Sequence, residues 1–135
     1  MAVMKWRKSL EVGNTAIDTQ HQQLVAMINA LAEAADQGHP QKEVSKLFYA
    51  LLEYTSSHFR MEEELMHAQA YPDRANHFRA HTALKFVVED LQEAFAAGNV
   101  LAAGELAQVL NDWLFKHILV IDKALAEFLA TTKEK

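Results

Sequence analysis

Apolar residues recur at three- and four-residue intervals through four long stretches of the chain, the spacing of one face of an α-helix. The first stretch runs from about Thr19 to Gln37, with His21, Leu24, Val25, Ile28, Leu31, Ala32 and Ala35 on its inner side. Asp18 is placed to cap its start, and Gly38-His39-Pro40 ends it. Pro40 can open a second helix, whose stripe is Val44, Leu47, Phe48, Leu51, Thr55, His58, Met61, Glu62 and Leu65. Tyr71-Pro72-Asp73 breaks the pattern: Pro72 interrupts the helix and Asp73 can help cap the next. The third helix carries His77, His81, Leu84, Val88, Leu91 and Phe95, and Gly98 is placed to stop it. A fourth starts near Asn99 to Leu101, with Leu106, Val109, Leu110, Trp113, Leu114 and His117 on its stripe. Lys123 to Ala130 reads as a short last helix. Residues 1–17 read as an irregular arm that Trp6, Leu10, Val12 and Ile17 could pin to a helical core. Four helices with short loops predict an all-α, up-down-up-down four-helix bundle with an N-terminal arm and a short C-terminal helix. The expectation is one domain over residues 1–135.

Composition agrees with a helical globular protein. Half of the 135 residues are apolar, with four glycines and two prolines. The net charge of −5 and the lack of a basic stripe argue against nucleic acid as a partner. With no cysteine, neither disulfides nor thiolate metal sites are available. No apolar run approaches the roughly 20 residues of a membrane span. The start of the chain carries charges and no apolar segment of the signal-peptide kind, so a cytoplasmic protein is expected. Seven histidines are the one unusual feature of composition.

The histidines change the picture because of where they fall. His58 and Glu62 are four apart, as are His77 and His81, and a four-residue helical step leaves two side chains within about 40° of each other. Each pair therefore presents two metal-type donors on one face. His21 sits on the first stripe and His117 on the fourth. A single histidine on an apolar face is ordinarily a satisfied core residue. Six such groups on the inner stripes of four helices are different, since burying them without a common partner would cost several kcal/mol. A metal centre removes that cost. His39, in a turn, and His67, on the far side of the second helix, read as surface.

His117 and Asp122 are five apart, a step that swings about 140° on a regular helix. For both to serve one site, the helix must end, tighten or bulge between them. With Asp122 included, five imidazoles and two carboxylates are too many donors for one tetrahedral zinc. No thiolate is present to favour copper(I) or an iron–sulfur cluster. Two octahedral irons with bridging carboxylates fit the count.

His21, HxxxE at 58–62, HxxxH at 77–81 and HxxxxD at 117–122 together resemble the hemerythrin family, in its bacterial single-domain branch. Ile17-Asp18, Phe59, the Tyr71-Pro72 turn, Trp113, Ile118 and Lys123 also match. The resemblance covers nearly the whole chain, and only Val120 and Ile121 are more apolar than it leads one to expect. It implies two iron ions with an oxo or hydroxo bridge, and O2 as the ligand. By that pattern His77, His81 and His117 hold one iron, His21 and His58 hold the other, and Glu62 and Asp122 bridge both. The two-histidine iron then keeps one position open for O2. Reversible binding needs an apolar, water-poor pocket, for which Leu24, Val25, Phe59, Trp113 and Leu114 are the candidates. The expected role is O2 carriage, storage or delivery by a monomer, and not enzyme catalysis. The alternatives are an O2 or redox sensor acting through a protein partner, and a di-iron enzyme with peroxidase-like activity. Carboxylate-rich di-iron oxidases use two Glu-x-x-His motifs. This chain has one, Glu64 to His67, with His67 facing outward.

Overall fold

A computed structural model describes residues 6–133. Its helices are α1 (Thr15–Asp36), α2 (Gln41–Ala68), α3 (Arg74–Ala96), α4 (Ala102–His117) and α5 (Lys123–Lys133), with a 3-10 turn at Lys8–Leu10 and a π-helical turn at Ile118–Asp122 joining α4 to α5. The four long helices form an antiparallel bundle. α1 packs against α2 and α4, and α3 packs against α4 and, more loosely, α2. α1 and α3 therefore occupy opposite corners.

The arm enters differently from the sequence expectation. α1 begins four residues earlier, at Thr15, because Asn14 is its cap: the Asn14 side chain accepts from the Ile17 N–H at 3.1 Å. Asp18 lies inside the first turn instead. Its carboxylate accepts from the backbone N–H groups of Val12, at 2.8 Å, and Gly13, at 3.3 Å. So Asp18 fastens the arm to the helix rather than capping it, and Ile17 is a helical core residue. Leu10 is buried, with Trp6 and Val12 packed beside it. Residues 1–5 of the expected arm lie outside the described residues.

α1, α2 and α3 all stop in the same way. A bond from the N–H after the left-handed residue reaches back five residues: His39 to Ala34, Tyr71 to Met66 and Asn99 to Ala94. The left-handed positions are Gly38, Ala70 and Gly98. Glycine takes this conformation freely, but Ala70, at φ 51°, takes it against the preference of a residue with a Cβ. Asp73 occupies the cap position of α3 without a side-chain cap bond; its carboxylate accepts from Asn76 at 2.6 Å.

The interior is layered. One apolar cluster gathers Leu24, Ile28, Leu31, Phe48, Leu51, Leu84, Phe95, Leu106, Leu110 and Leu114. A smaller one gathers Ile17, Met66, Tyr71, Leu125 and Leu129. Met66 rather than Leu65 is the fully buried residue there, and Val88 and Leu91 are only half-buried. Between the two clusters in sequence, on every long helix, stand the buried histidines and carboxylates.

Candidate metal centre

The seven polar residues singled out in the sequence are all buried: His21, His58, Glu62, His77, His81, His117 and Asp122. α1 supplies His21, α2 supplies His58 and Glu62, and α3 supplies His77 and His81. α4 ends in His117, and the π-helical turn delivers Asp122. In that turn the Lys123 N–H reaches the Ile118 carbonyl, a five-residue span. A five-residue turn brings His117 and Asp122 onto one face, and His117 Nε2 lies 3.0 Å from Asp122 Oδ1. Of the three alternatives that the five-residue spacing allowed, the helix bulges.

The carboxylates divide their oxygens between two groups of histidines. Glu62 Oε1 lies 3.3 Å from His77 Nε2 and 3.2 Å from His81 Nε2. Glu62 Oε2 lies 3.3 Å from His58 Nε2 and 3.9 Å from His21 Nε2. Asp122 Oδ1 lies 3.2 Å from His77 Nε2, whereas Oδ2 lies 2.9 Å from His21 Nε2. Two donor sets result. One holds His77, His81, His117, Glu62 and Asp122; the other holds His21, His58, Glu62 and Asp122.

The donors fit a metal pair. Several are buried without a hydrogen-bond partner, among them Nε2 of His21, His58 and His81, Oε2 of Glu62 and both oxygens of Asp122. Leaving such atoms unsatisfied costs about 1–3 kcal/mol each, and cations in their midst would satisfy all of them at once. Spacing agrees as well. Two adjacent ligands on an octahedral ion at roughly 2.1 Å stand about 3.0 Å apart, close to the separations above. Imidazole nitrogen and carboxylate oxygen without sulfur is a donor set that iron accepts.

The groups also fix one another's charge. Burial, and the charge of Asp122 close by, would raise the Glu62 carboxyl, but the imidazoles of His58, His77 and His81 set against it overcome both and hold it well below the usual carboxylate range. Asp122 is likewise depressed: burial opposes ionisation, and His117, His21 and His77 outweigh it. Burial pulls His77 down, yet the Asp122 and Glu62 carboxylates against its Nε2 carry it up to about 9. His117 goes the other way, lowered by burial against the pull of Asp122.

The Hemerythrin HHE cation binding domain matches residues 12–129. The chain belongs to the hemerythrin family. Bacteriohemerythrin of Stenotrophomonas maltophilia is 35% identical over 127 residues, covering 94% of this chain and 82% of that protein. Bacteriohemerythrin of Methylococcus capsulatus is 35% identical over 125 residues, covering 91% and 94%. A crystal structure of wild-type hemerythrin superposes with a TM-score of 0.87 at 32% identity, covering 95% of this chain and 98% of that one. No helix among the described residues is long and apolar enough to cross a membrane.

Around this hemerythrin centre the aromatic residues stack on ligand-type histidines. Phe59 lies on His81 with ring centroids 3.8 Å apart and planes within 5°. Trp113 lies on His117 at 4.0 Å and 18°. Both stack on the three-histidine set. They also line a small apolar cavity of about 10 Å³ with Leu24, Ile28, Thr55, Leu84, Leu110 and Leu114. Val25 is buried in the same core but does not line that cavity. His67 is exposed, on the outside of α2.

Two residues that the sequence reading passed over touch the histidines from outside. Gln20 Oε1 lies 2.6 Å from His58 Nδ1, and Glu63 Oε2 lies 3.0 Å from His81 Nδ1. Each is the chain neighbour of a converging residue, Gln20 of His21 and Glu63 of Glu62. One residue along a helix turns the side chain by about 100°, which carries these two toward the adjoining helix. A polar acceptor next in the chain to a stripe histidine or carboxylate was the available signal.

Proposed function

We propose that this chain binds O2 reversibly at a di-iron centre and is not an enzyme. The observation that carries the reading is the division of Glu62 and Asp122 between a three-histidine and a two-histidine set. His77, His81 and His117 with one oxygen of each carboxylate would hold one iron; His21 and His58 with the other two oxygens would hold the second. The first set offers five donors and the second four, so the His21–His58 side is the one with room for a small ligand. When bound, the iron pair supplies the two electrons that O2 takes up on binding and returns on release.

The surrounding side chains suit binding rather than turnover. Among the described residues, Thr55 and Tyr71 are the buried side chains beyond the seven that carry a hydroxyl. The Thr55 hydroxyl is already committed to the Leu51 carbonyl at 2.8 Å. Burial, with the charges of Asp73, Asp122 and Glu127, raises the Tyr71 phenol above its ordinary value, which leaves it a weak acid poorly matched to moving protons to and from a substrate. The cavity that Phe59 and Trp113 line, beside His81 and His117, is apolar and about the size of one water molecule; with Leu24, one turn along α1 from His21, and Leu114, these side chains would keep water from the ligand.

His21→Ala tests the assignment. It removes a donor from the poorer set and none from the other. The expected outcome is a helical protein that has lost O2 binding and holds one of its two irons weakly or not at all, read from circular dichroism, the spectrum under O2 and an iron count. Two tightly held irons with full O2 binding would defeat it.

A further inference from the structure

The two histidine sets are supported unequally from outside. His81, of the three-histidine set, has Glu63 against its Nδ1, and His58, of the two-histidine set, has Gln20. A carboxylate oxygen and an amide oxygen both accept, so each ring is held with hydrogen on Nδ1 and its Nε2 lone pair turned inward. The acceptors differ in charge. A carboxylate draws the Nδ1 hydrogen toward itself and makes the imidazole a stronger electron donor through Nε2; a neutral amide oxygen does this far less. Stronger donation favours the oxidised form of whatever metal the ring holds.

We propose that Glu63 and Gln20 are positioning residues that hold the two sides of the centre at different reduction potentials, the His81 side being the more easily oxidised. This rests on the di-iron reading. The asymmetry has a use. Both electrons must be available to one ligand, and the side remote from that ligand gives up its electron more readily because Glu63 stands behind it. Glu63 is also well placed for substitution. It lies on the wall of a groove between α2 and α3, near Arg60 and Lys85, and 38% of its side chain is exposed. Changing it opens no core.

Redox titration of the iron-loaded protein tests this, with the iron count read alongside. Glu63→Gln keeps an acceptor and removes the charge, and is expected to raise one of the two one-electron potentials. Gln20→Glu adds a charge behind His58 and is expected to lower the other. Glu64→Gln, which removes an exposed charge one residue along, should move neither. Glu63→Ala removes the acceptor altogether and is expected to weaken iron(II) binding roughly 10–100-fold. In the metal-free protein, nitrogen-15 spectra should show His81 with hydrogen on Nδ1, and Glu63→Ala should mix its tautomers. Two irons per chain with potentials unmoved by Glu63→Gln, or moved equally by Glu64→Gln, would overturn the tuning alone. Fewer than two irons in the unsubstituted protein would overturn the di-iron reading beneath it.

Discussion

Leu114 and Trp113 look interchangeable as apolar neighbours of His117, but their surroundings separate them. Leu114 is buried and lines the small cavity without stacking on a ligand-type ring. Leu114→Ser should therefore leave the iron count at two while water enters and autoxidation quickens, checked by the loss of O2-binding capacity over repeated cycles. Removing most of a buried leucine should also cost roughly 2–5 kcal/mol of stability, so the comparison belongs well below the melting temperature. Trp113 also supports His117 face to face. Trp113→Gln is thus expected to raise autoxidation and to loosen iron as well. His67→Ala, on the outer surface, should change neither. Equal autoxidation in all three variants would mean that dryness at this cavity does not protect the bound ligand.

At the scale of the elements, the end of α2 carries a local conflict. Ala70 takes the left-handed role that glycine takes at Gly38 and Gly98. Ala70→Gly should relieve about 1–2 kcal/mol of backbone strain, less the roughly 0.4–1 kcal/mol that extra unfolded-state freedom removes. A small net gain in stability is expected, measurable as a higher denaturant midpoint. Glycine at a helix end usually destabilises only where the helix continues, and here it does not. The same turn shows what was legible beforehand. The helix count, their order and the stripes followed from spacing, because burial of one face dictates it. The start of α1 did not, because Asn14 and Asp18 are both good caps and only the folded arm decides between them. The five-residue step from His117 to Asp122 demanded an irregularity; which kind depended on α5 continuing in line, something no local pattern encodes. Gln20 and Glu63 escaped for a similar reason, since their partners lie across a helix interface.

For the molecule as a whole, the polar layer makes folding and metal binding one problem. Five imidazoles and two carboxylates meet inside an apolar bundle with many atoms unsatisfied. The metal-free chain bears that cost, and the loaded chain does not. At a free iron concentration 100 times the dissociation constant, filling one of the two donor sets adds about 2.7 kcal/mol. For a domain of this size that corresponds to a rise in melting temperature of about 10 °C. Melting curves with and without a chelator check it. Identical curves would mean that the bundle is indifferent to the ions its donors would hold.

The 2.9 Å approach of His21 to Asp122 has a further consequence for the chain as a polymer. The two residues stand about a hundred positions apart, and an ion held by both would act as a crosslink. In the chain-entropy picture a link closing a loop of that length removes freedom worth about 4.7 kcal/mol from the unfolded ensemble. A protein without cysteine would in this way gain the equivalent of a long-range disulfide, one that forms when iron arrives and opens when it leaves.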